Sequence, residues 1–167
     1  MTGAAGADSG FTIAAVASAA DLEAAHALFR AYAASLPVDL DYQDFATELA
    51  MLPGKYGPPA GALLVARDRA GTPIGCVGLR PLASGVGEMK RLYVDPAARG
   101  LGLGRALMEA VVATAAALGY REIRLETLPT MAAAIDMYRR AGFKPVAPYY
   151  DTAPAGTLFL GRRLTDR

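Results

Sequence analysis

Arg99-Gly100-Leu101-Gly102-Leu103-Gly104-Arg105 stands between a strand-like stretch, residues 88–94, and a long amphipathic stretch ending near Leu118. A glycine-rich turn from strand to helix gathers backbone N–H groups on one concave surface, and the helix N-terminus adds partial positive charge. Such a turn suits a phosphate or pyrophosphate. Glycine there permits close backbone approach and positive φ. The competing reading is a tight, solvent-exposed strand–helix turn. Three alternating glycines speak against it, since each costs about 1 kcal/mol within a helix.

Three phosphate chemistries use loops of this kind. A P-loop needs Lys and then Ser or Thr after its last glycine. Arg105-Ala106 stands there instead. A dinucleotide fold puts its loop after the first strand, with an acidic residue about 20 positions later. This loop follows the fourth strand-like segment, although Glu122 and Glu126 lie at roughly that distance. Coenzyme A is the third candidate.

The elements that must position the loop follow from periodicity and punctuation. Residues 11–16 read as a first strand. Ser18 with Asp21 forms a capping box, after which Leu22, Ala25, Phe29, Tyr32 and Leu36 mark one helix face until Pro37. Tyr42, Phe45, Leu49 and Leu52 predict a second, shorter helix, and residues 52–59 a loop rich in proline and glycine. Residues 62–67 and 73–80 predict two strands around a turn at 68–71. Gly75 and Gly78 within the second imply a bulge or close approach of another backbone. Residues 88–94 form the next strand. Leu103, Leu107, Val111, Thr114 and Leu118 mark a third helix that Gly119 stops. Residues 122–126 alternate as a half-buried strand. Pro129-Thr130 opens a fourth helix with Met131, Ala134, Ile135 and Tyr138 on one face and Gly142 past its end. Residues 143–147 and 157–163 close the chain as strands. The three successive strands should be antiparallel, and the 88–126 crossover parallel and right-handed. The expected fold class is α/β (α+β), a mixed, mostly antiparallel sheet of six to seven strands with four helices on both faces.

Composition narrows the partners. A length of 167 residues fits one domain over residues 10–167, preceded by a small, polar segment, 1–9, read as a disordered tail. A net charge of +1 without long like-charge runs argues against nucleic acid. No apolar run approaches the roughly 18 residues of a membrane span. The lone Cys76 cannot form an internal disulfide, which fits the cytoplasm. His26 sits beside an apolar stripe, and with one distant cysteine it makes no metal site. Cys76 itself reads as core.

Met89-Lys90-Arg91-Leu92-Tyr93-Val94-Asp95-Pro96 followed by Arg99-x-x-Gly102-x-Gly104 resembles the acetyl-CoA signature of the GNAT superfamily of N-acetyltransferases. Ala134-Ile135-Asp136-Met137-Tyr138-Arg139-Arg140-Ala141-Gly142-Phe143 resembles that family's second motif, a tyrosine-bearing helix followed by Gly-Phe. Together the motifs cover roughly residues 88–147, and the element order agrees along the whole chain. One departure is Met131, seven positions before the tyrosine, where the family often has asparagine.

The resemblance implies an acyltransferase that binds acetyl-CoA (coenzyme A) and passes acetyl to the amine of a small molecule or peptide, as a monomer or homodimer. It implies that the backbone of Leu92 and Val94, with Tyr93 between them, takes the pantetheine arm by strand addition. It assigns the pyrophosphate to Gly100, Leu101, Gly102, Leu103, Gly104 and Arg105, with Arg99 adding charge. The N–H of Val94 would stabilise a developing oxyanion. Tyr138 is the candidate acid that protonates the leaving thiolate; the alternative is a core tyrosine. Glu88 is the candidate base at the strand mouth; the alternative is a solvated charge paired with Lys90 or an arginine. Residues Lys55, Tyr56, Tyr149 and Tyr150 fall in loops that could flank the acceptor. Two other functions compete, a non-catalytic acyl-CoA sensor and a nucleotide-binding oxidoreductase, the latter disfavoured by loop position.

Overall fold

The computed structural model describes residues 10–164, so the tail read from residues 1–9 lies outside the described residues. Seven strands form one sheet: β1 (Phe11–Ala15), β2 (Ala62–Asp68), β3 (Pro73–Ala83), β4 (Val86–Val94), β5 (Glu122–Thr127), β6 (Lys144–Pro145) and β7 (Leu158–Arg163). Their order is β1-β2-β3-β4-β5-β7-β6. Every neighbouring pair is antiparallel except β4–β5. Four α-helices accompany the sheet: α1 (Ala19–Ser35), α2 (Phe45–Ala50), α3 (Leu103–Ala117) and α4 (Ala132–Arg140). The mixed, mostly antiparallel sheet and the parallel crossover through α3 agree with the sequence expectation.

Local signals explain most boundaries. The Ser18 hydroxyl accepts from the Asp21 N–H at 3.1 Å, and the Asp21 carboxylate accepts from the Ala17 N–H at 3.0 Å. Those bonds satisfy donors that the start of α1 would otherwise orphan. Gly119 adopts φ 91° past the end of α3, and the following Tyr120 N–H returns to the Ala115 carbonyl at 3.1 Å. The expected second helix is broken. Leu40–Gln43 is a 3-10 turn, Asp44 sits at φ 54°, and α2 starts only at Phe45. Asp44 tolerates the left-handed region because its short carboxylate bonds locally, accepting from the Thr47 hydroxyl at 3.0 Å. The expected strand at 143–147 shrinks to Lys144–Pro145 at the sheet edge, although the Val146 N–H still donates to the Phe159 carbonyl at 2.9 Å; proline is tolerated there because an edge strand has one side without a ladder.

Two apolar clusters flank the sheet. One joins α3 and α4 to the sheet through Val77, Leu79, Met89, Leu107, Val111 and Tyr138. The other joins α1 through Ala25, Phe29, Tyr56, Cys76 and Tyr93. Gly78 is where the second cluster meets the sheet most closely. A Cβ there would stand 2.6 Å from the Tyr56 ring, which itself packs edge-on against Phe29. At Gly78 the close approach is thus a side chain, while a Cβ at Gly75 would meet another backbone, the Tyr93 carbonyl oxygen, at 2.9 Å, and the expected bulge is present where the β3–β4 register shifts between Cys76 and Gly78.

The feature that matters for the site is a β-bulge in β4. Lys90 pairs with Gly78 and Tyr93 with Cys76, so Arg91 and Leu92 together oppose Val77 alone. Arg91 carries the bulge at φ 61°. Simple alternation would put Glu88, Lys90, Leu92 and Val94 on one face; the extra residue moves Leu92 and Val94 to the α3 face with Met89. Glu88, Lys90 and Tyr93 stay on the other. Past Glu88 the parallel pairing of β4 with β5 ends, since only Val86–Glu88 pair with Glu122–Arg124. The two strands splay, and β4 from Met89 to Val94 has no ladder partner on that side.

Two outcomes follow. Gly78→Ala should lower unfolding free energy by about 1–3 kcal/mol in urea denaturation, because the buried Tyr56 ring cannot yield without repacking. Glu48→Ala should cost about 3–5 kcal/mol by leaving the buried Arg91 guanidinium, now gripped by Glu48 at 2.8 Å and 3.1 Å, without its partner.

Candidate active site

The splay between β4 and β5 opens a cavity lined by Met89, Lys90, Glu126, Tyr138, Gln43 and Tyr32 among others. Beneath it lies a buried ionic network. Glu88 is fully buried. Its Oε1 accepts from Arg80 Nε at 3.0 Å and from the Tyr150 hydroxyl at 2.7 Å. Lys90 Nζ stands 3.7 Å from Glu88 Oε2 and 3.4 Å from Glu126 Oε1. Arg80 also reaches Glu48 at 3.5 Å and donates to the Tyr150 hydroxyl at 3.0 Å. Glu48 in turn holds Arg91, whose guanidinium lies over the rings of Tyr32 and Phe45. Three carboxylates and three cations therefore balance within one cluster, as burial of charge demands.

Burial sets the protonation tendencies. Removal from water lowers the Lys90 pKa, with Glu88 and Glu126 opposing the shift. It raises the Glu126 carboxyl above its ordinary value. The Tyr150 phenol is pushed up to about 12, first by burial and then by the Glu88 charge. The Tyr138 phenol is raised by burial. Those tyrosines are protonated at neutral pH and serve as donors.

The structure brings some of the sequence-predicted residues together and separates others. Tyr138 lines the cavity, and its hydroxyl has no hydrogen-bond partner among the described residues. Glu88 was expected at an open strand mouth; it lies instead beneath Arg80, Lys90 and Tyr150 and is neither solvated nor on the cavity wall. Tyr150 joins the network directly. Tyr149 packs against Tyr150 and Phe159, with ring centroids 4.9 Å away in each case, and leaves its buried hydroxyl unpaired. Tyr56, expected in an open loop, is 2% exposed and belongs to the α1 core. Loop chemistry misled here because residues 52–59 fold back under α1. Lys55 is exposed and lines a separate hollow with Glu48 and Arg80.

The phosphate loop is arranged as its residues suggested. Leu92 and Val94 are half-buried against the α3 cluster, while the Tyr93 side chain turns away, edge-on to Tyr32. Gly100 and Gly102 adopt φ 85° and 76°, and a Cβ at either would meet nothing within 4 Å. Gly102 caps α3 without a side-chain bond, so the N–H groups of Leu103, Gly104 and Arg105 keep no cap. The Leu103 side chain is buried, which leaves only its main chain to face outward. Leu101, Arg99 and Arg105 are exposed, Arg105 in an ion pair with Glu109 at 2.9 Å. Met131 caps α4, likewise without a side-chain bond. Gln43, Arg80 and Glu48 carry no sequence mark of a site, and Glu126 stands out in sequence only by its distance from the glycine loop and its polar place in the alternating β5 pattern.

Comparison with known proteins agrees with this architecture. Residues 22–143 match the sequence profile of the Acetyltransferase (GNAT) family. An uncharacterised N-acetyltransferase of Schizosaccharomyces pombe is 43% identical over 143 residues, spanning 85% of this chain and 88% of that one. A GNAT-family acetyltransferase of Staphylococcus aureus superposes with a TM-score of 0.77 at 20% identity, covering 93% of this chain and 99% of that one. A GNAT phosphinothricin acetyltransferase of Sinorhizobium meliloti, solved in complex with acetyl-CoA, gives 0.70 at 20% identity over 93% and 89% of the two chains. The splayed sheet, the glycine-capped α3 and this kinship together make the chain a member of the GNAT acetyltransferase family.

Proposed function

We propose that this chain transfers acetyl from acetyl-CoA to a primary amine by direct attack, without an acyl-enzyme. The observation that carries the reading is the meeting of two unsatisfied backbone surfaces. The unpaired β4 edge at 89–94 leads, through the 3-10 turn Pro96–Ala98 and the glycine loop, to the uncapped N-terminus of α3. An amide-rich arm ending in a pyrophosphate fits both at once. The amides of the arm extend the sheet edge, and the N–H groups at 102–105 receive the diphosphate. Arg99 and Arg105, both exposed beside the loop, supply positive charge for phosphate.

When bound, acetyl-CoA supplies the activated acetyl group as a thioester. The remaining tasks fall to the chain. The main chain at Leu92, Tyr93 and Val94 aligns the arm, and the Val94 N–H faces negative charge developing on oxygen. Tyr138 donates its phenolic proton toward the departing sulfur. The burial-raised pKa suits a group that must be protonated before the step. A free hydroxyl on the cavity wall favours this role over core packing and favours catalysis over a silent binding domain. Glu88 meets the acceptor only through Lys90 and Tyr150, and Tyr149 backs the latter. The Lys55 hollow flanks the same network from its α2 side, under which Tyr56 is the floor. The buried free thiol of Cys76 suits the reducing cytoplasm.

Gly104→Val is the cleanest test of the loop. Gly104 has an ordinary φ, and its Cβ would meet only Val94 Cγ2 at 3.7 Å, so the fold should survive. Acetyl-CoA affinity by calorimetry should fall about tenfold or more, about 1.4 kcal/mol; unchanged affinity removes the loop from the site. Tyr138→Phe should lower kcat about 10²-fold while acetyl-CoA affinity barely moves, because the hydroxyl acts as charge develops on sulfur. An undiminished kcat, with chemistry shown to limit the rate, would make Tyr138 a packing residue.

A further inference from the structure

A second hollow lies on the β3 side of the ionic network, between the segment 43–56 and Arg80. It encloses about 330 Å³, against about 50 Å³ for the cavity at the splay. That volume suits a small organic molecule, whose pockets run to roughly 300–1,000 Å³. Gln43 lines both spaces, so they adjoin across its side chain.

The polar groups of the hollow fall into those already engaged and those left over. The Glu48 carboxylate accepts twice from Arg91, at 2.8 Å and 3.1 Å, and stands 3.5 Å from Arg80. Asp44 accepts from the Thr47 hydroxyl at 3.0 Å. Arg80 is divided among Glu48, Glu88 and Tyr150. Lys55 is exposed and forms no ion pair among the described residues.

Tyr56 is the other group left over. It is 2% exposed, and its ring is wedged between the Phe29 ring and the bare backbone of Gly78. Its hydroxyl end lies among the charges of Glu48, Arg80 and Arg91, and the first two are walls of the hollow. The hydroxyl is buried and has no hydrogen-bond partner. Burial, and then the Glu48 charge, raises the phenol pKa, so the proton stays on oxygen and the donor is unused. A ring held on both faces cannot turn that donor toward another acceptor.

The unused capacity is therefore two donors, one of them cationic. An ammonium guest would meet carboxylates that are already engaged. A carboxylate has two oxygens and no donor, one oxygen for the Lys55 ammonium and one for the Tyr56 phenol. A phosphate would bring a second negative charge toward Glu48. Met51, 65% exposed, and Pro53 line the hollow beside these donors and suit a short apolar chain.

We propose that Lys55 and Tyr56 seat a carboxylate in this hollow, and that it is the carboxylate of the acceptor. The substrate is then an amino carboxylate, reaching past Gln43 from the hollow to the splay. The second half of the proposal rests on the acetyltransferase reading above; the seat does not.

The seat is tested by titrating hexanoate, hexanamide and inorganic phosphate into the full-length protein, followed by NMR of the methionine methyl groups. Hexanoate should shift the Met51 methyl to saturation, and the uncharged hexanamide should bind at least about tenfold more weakly. Lys55→Gln should weaken hexanoate about tenfold, and so should Tyr56→Phe, which keeps the ring and removes only the hydroxyl. No Met51 response, equal affinity for hexanoate and hexanamide, tighter binding of phosphate than of hexanoate, or undiminished affinity in either variant overturns the seat. The acceptor half is tested with amino acids from glycine to 6-aminohexanoate, each against its own primary amide, at matched concentrations of free amine. At least one acid should exceed its amide about tenfold in kcat/KM, through KM, and Lys55→Gln should erase that preference. No preference at any chain length, or one that survives Lys55→Gln, overturns the acceptor assignment. A wild type that binds no acetyl-CoA removes the acetyltransferase reading and the acceptor half with it, and the Met51 titration then judges the seat by itself.

Discussion

A left-handed backbone at Arg91 costs roughly 1–3 kcal/mol, and the chain offsets it with contacts drawn from distant segments. Glu48 takes the guanidinium through two bonds, and Tyr32 and Phe45 lie against its faces. The bulge so held rotates the end of β4 by one residue. Leu92 and Val94 then join the α3 cluster, and Lys90 remains with Glu88 on the opposite face. Without the extra residue, the four would share a face and apolar side chains would stand in the ionic network. The bulge coincides with the stretch where β4 has already parted from β5, so the groove and the side-chain division arise together.

The network under the groove is expensive to bury. A buried ion pair is often no more stabilising than apolar side chains of the same shape, yet losing one partner is costly. Glu48, Glu88 and Glu126 are each matched against Arg80, Lys90 and Arg91, and most contacts are shared. Sharing makes the cluster rigid: Arg80 holds Glu48, Glu88 and Tyr150 at once. The Tyr150 loop is fastened to the sheet by that arginine and by Glu88, with Lys90 5.3 Å from its ring centroid. Even so, the cluster leaves buried oxygens without a hydrogen-bond partner, on Glu88, Glu126, Gln43 and Tyr149.

Much of the architecture was legible in the amino-acid order. Ser18 and Asp21 announced the start of α1, Gly119 the end of α3, and the polar–apolar alternation of 122–126 the strand that became β5. Met89 is apolar and out of phase with Leu92 and Val94, a pattern in the amino-acid order that simple alternation cannot satisfy and the bulge does. Asp44 was not legible as a break, because an apolar period runs straight through it and only its own carboxylate bond makes the left-handed turn tolerable. Tyr56 looked like a loop residue among prolines and glycines. Its burial depends on Gly78, which has no side chain to keep the ring away from the sheet.

By itself, the sequence determined what depends on neighbours a few residues apart: the helix caps, the glycine loop at the start of α3, the strand–helix–strand crossover and Tyr138 on an apolar helix face. Tertiary structure decided which charged groups meet. Gln43 bonds Glu126 across 83 positions, Arg80 bonds Tyr150 across 70, and Arg91 bonds Glu48 across 43. No local pattern encodes such a pairing, because a charged residue in an alternating strand looks the same whether it faces water or a buried partner. Sequence could nominate Glu88 as the reactive carboxylate from its strand. Only the packing of Arg80 and Tyr150 over it, and the open wall at Glu126, separates the sealed carboxylate from the accessible one.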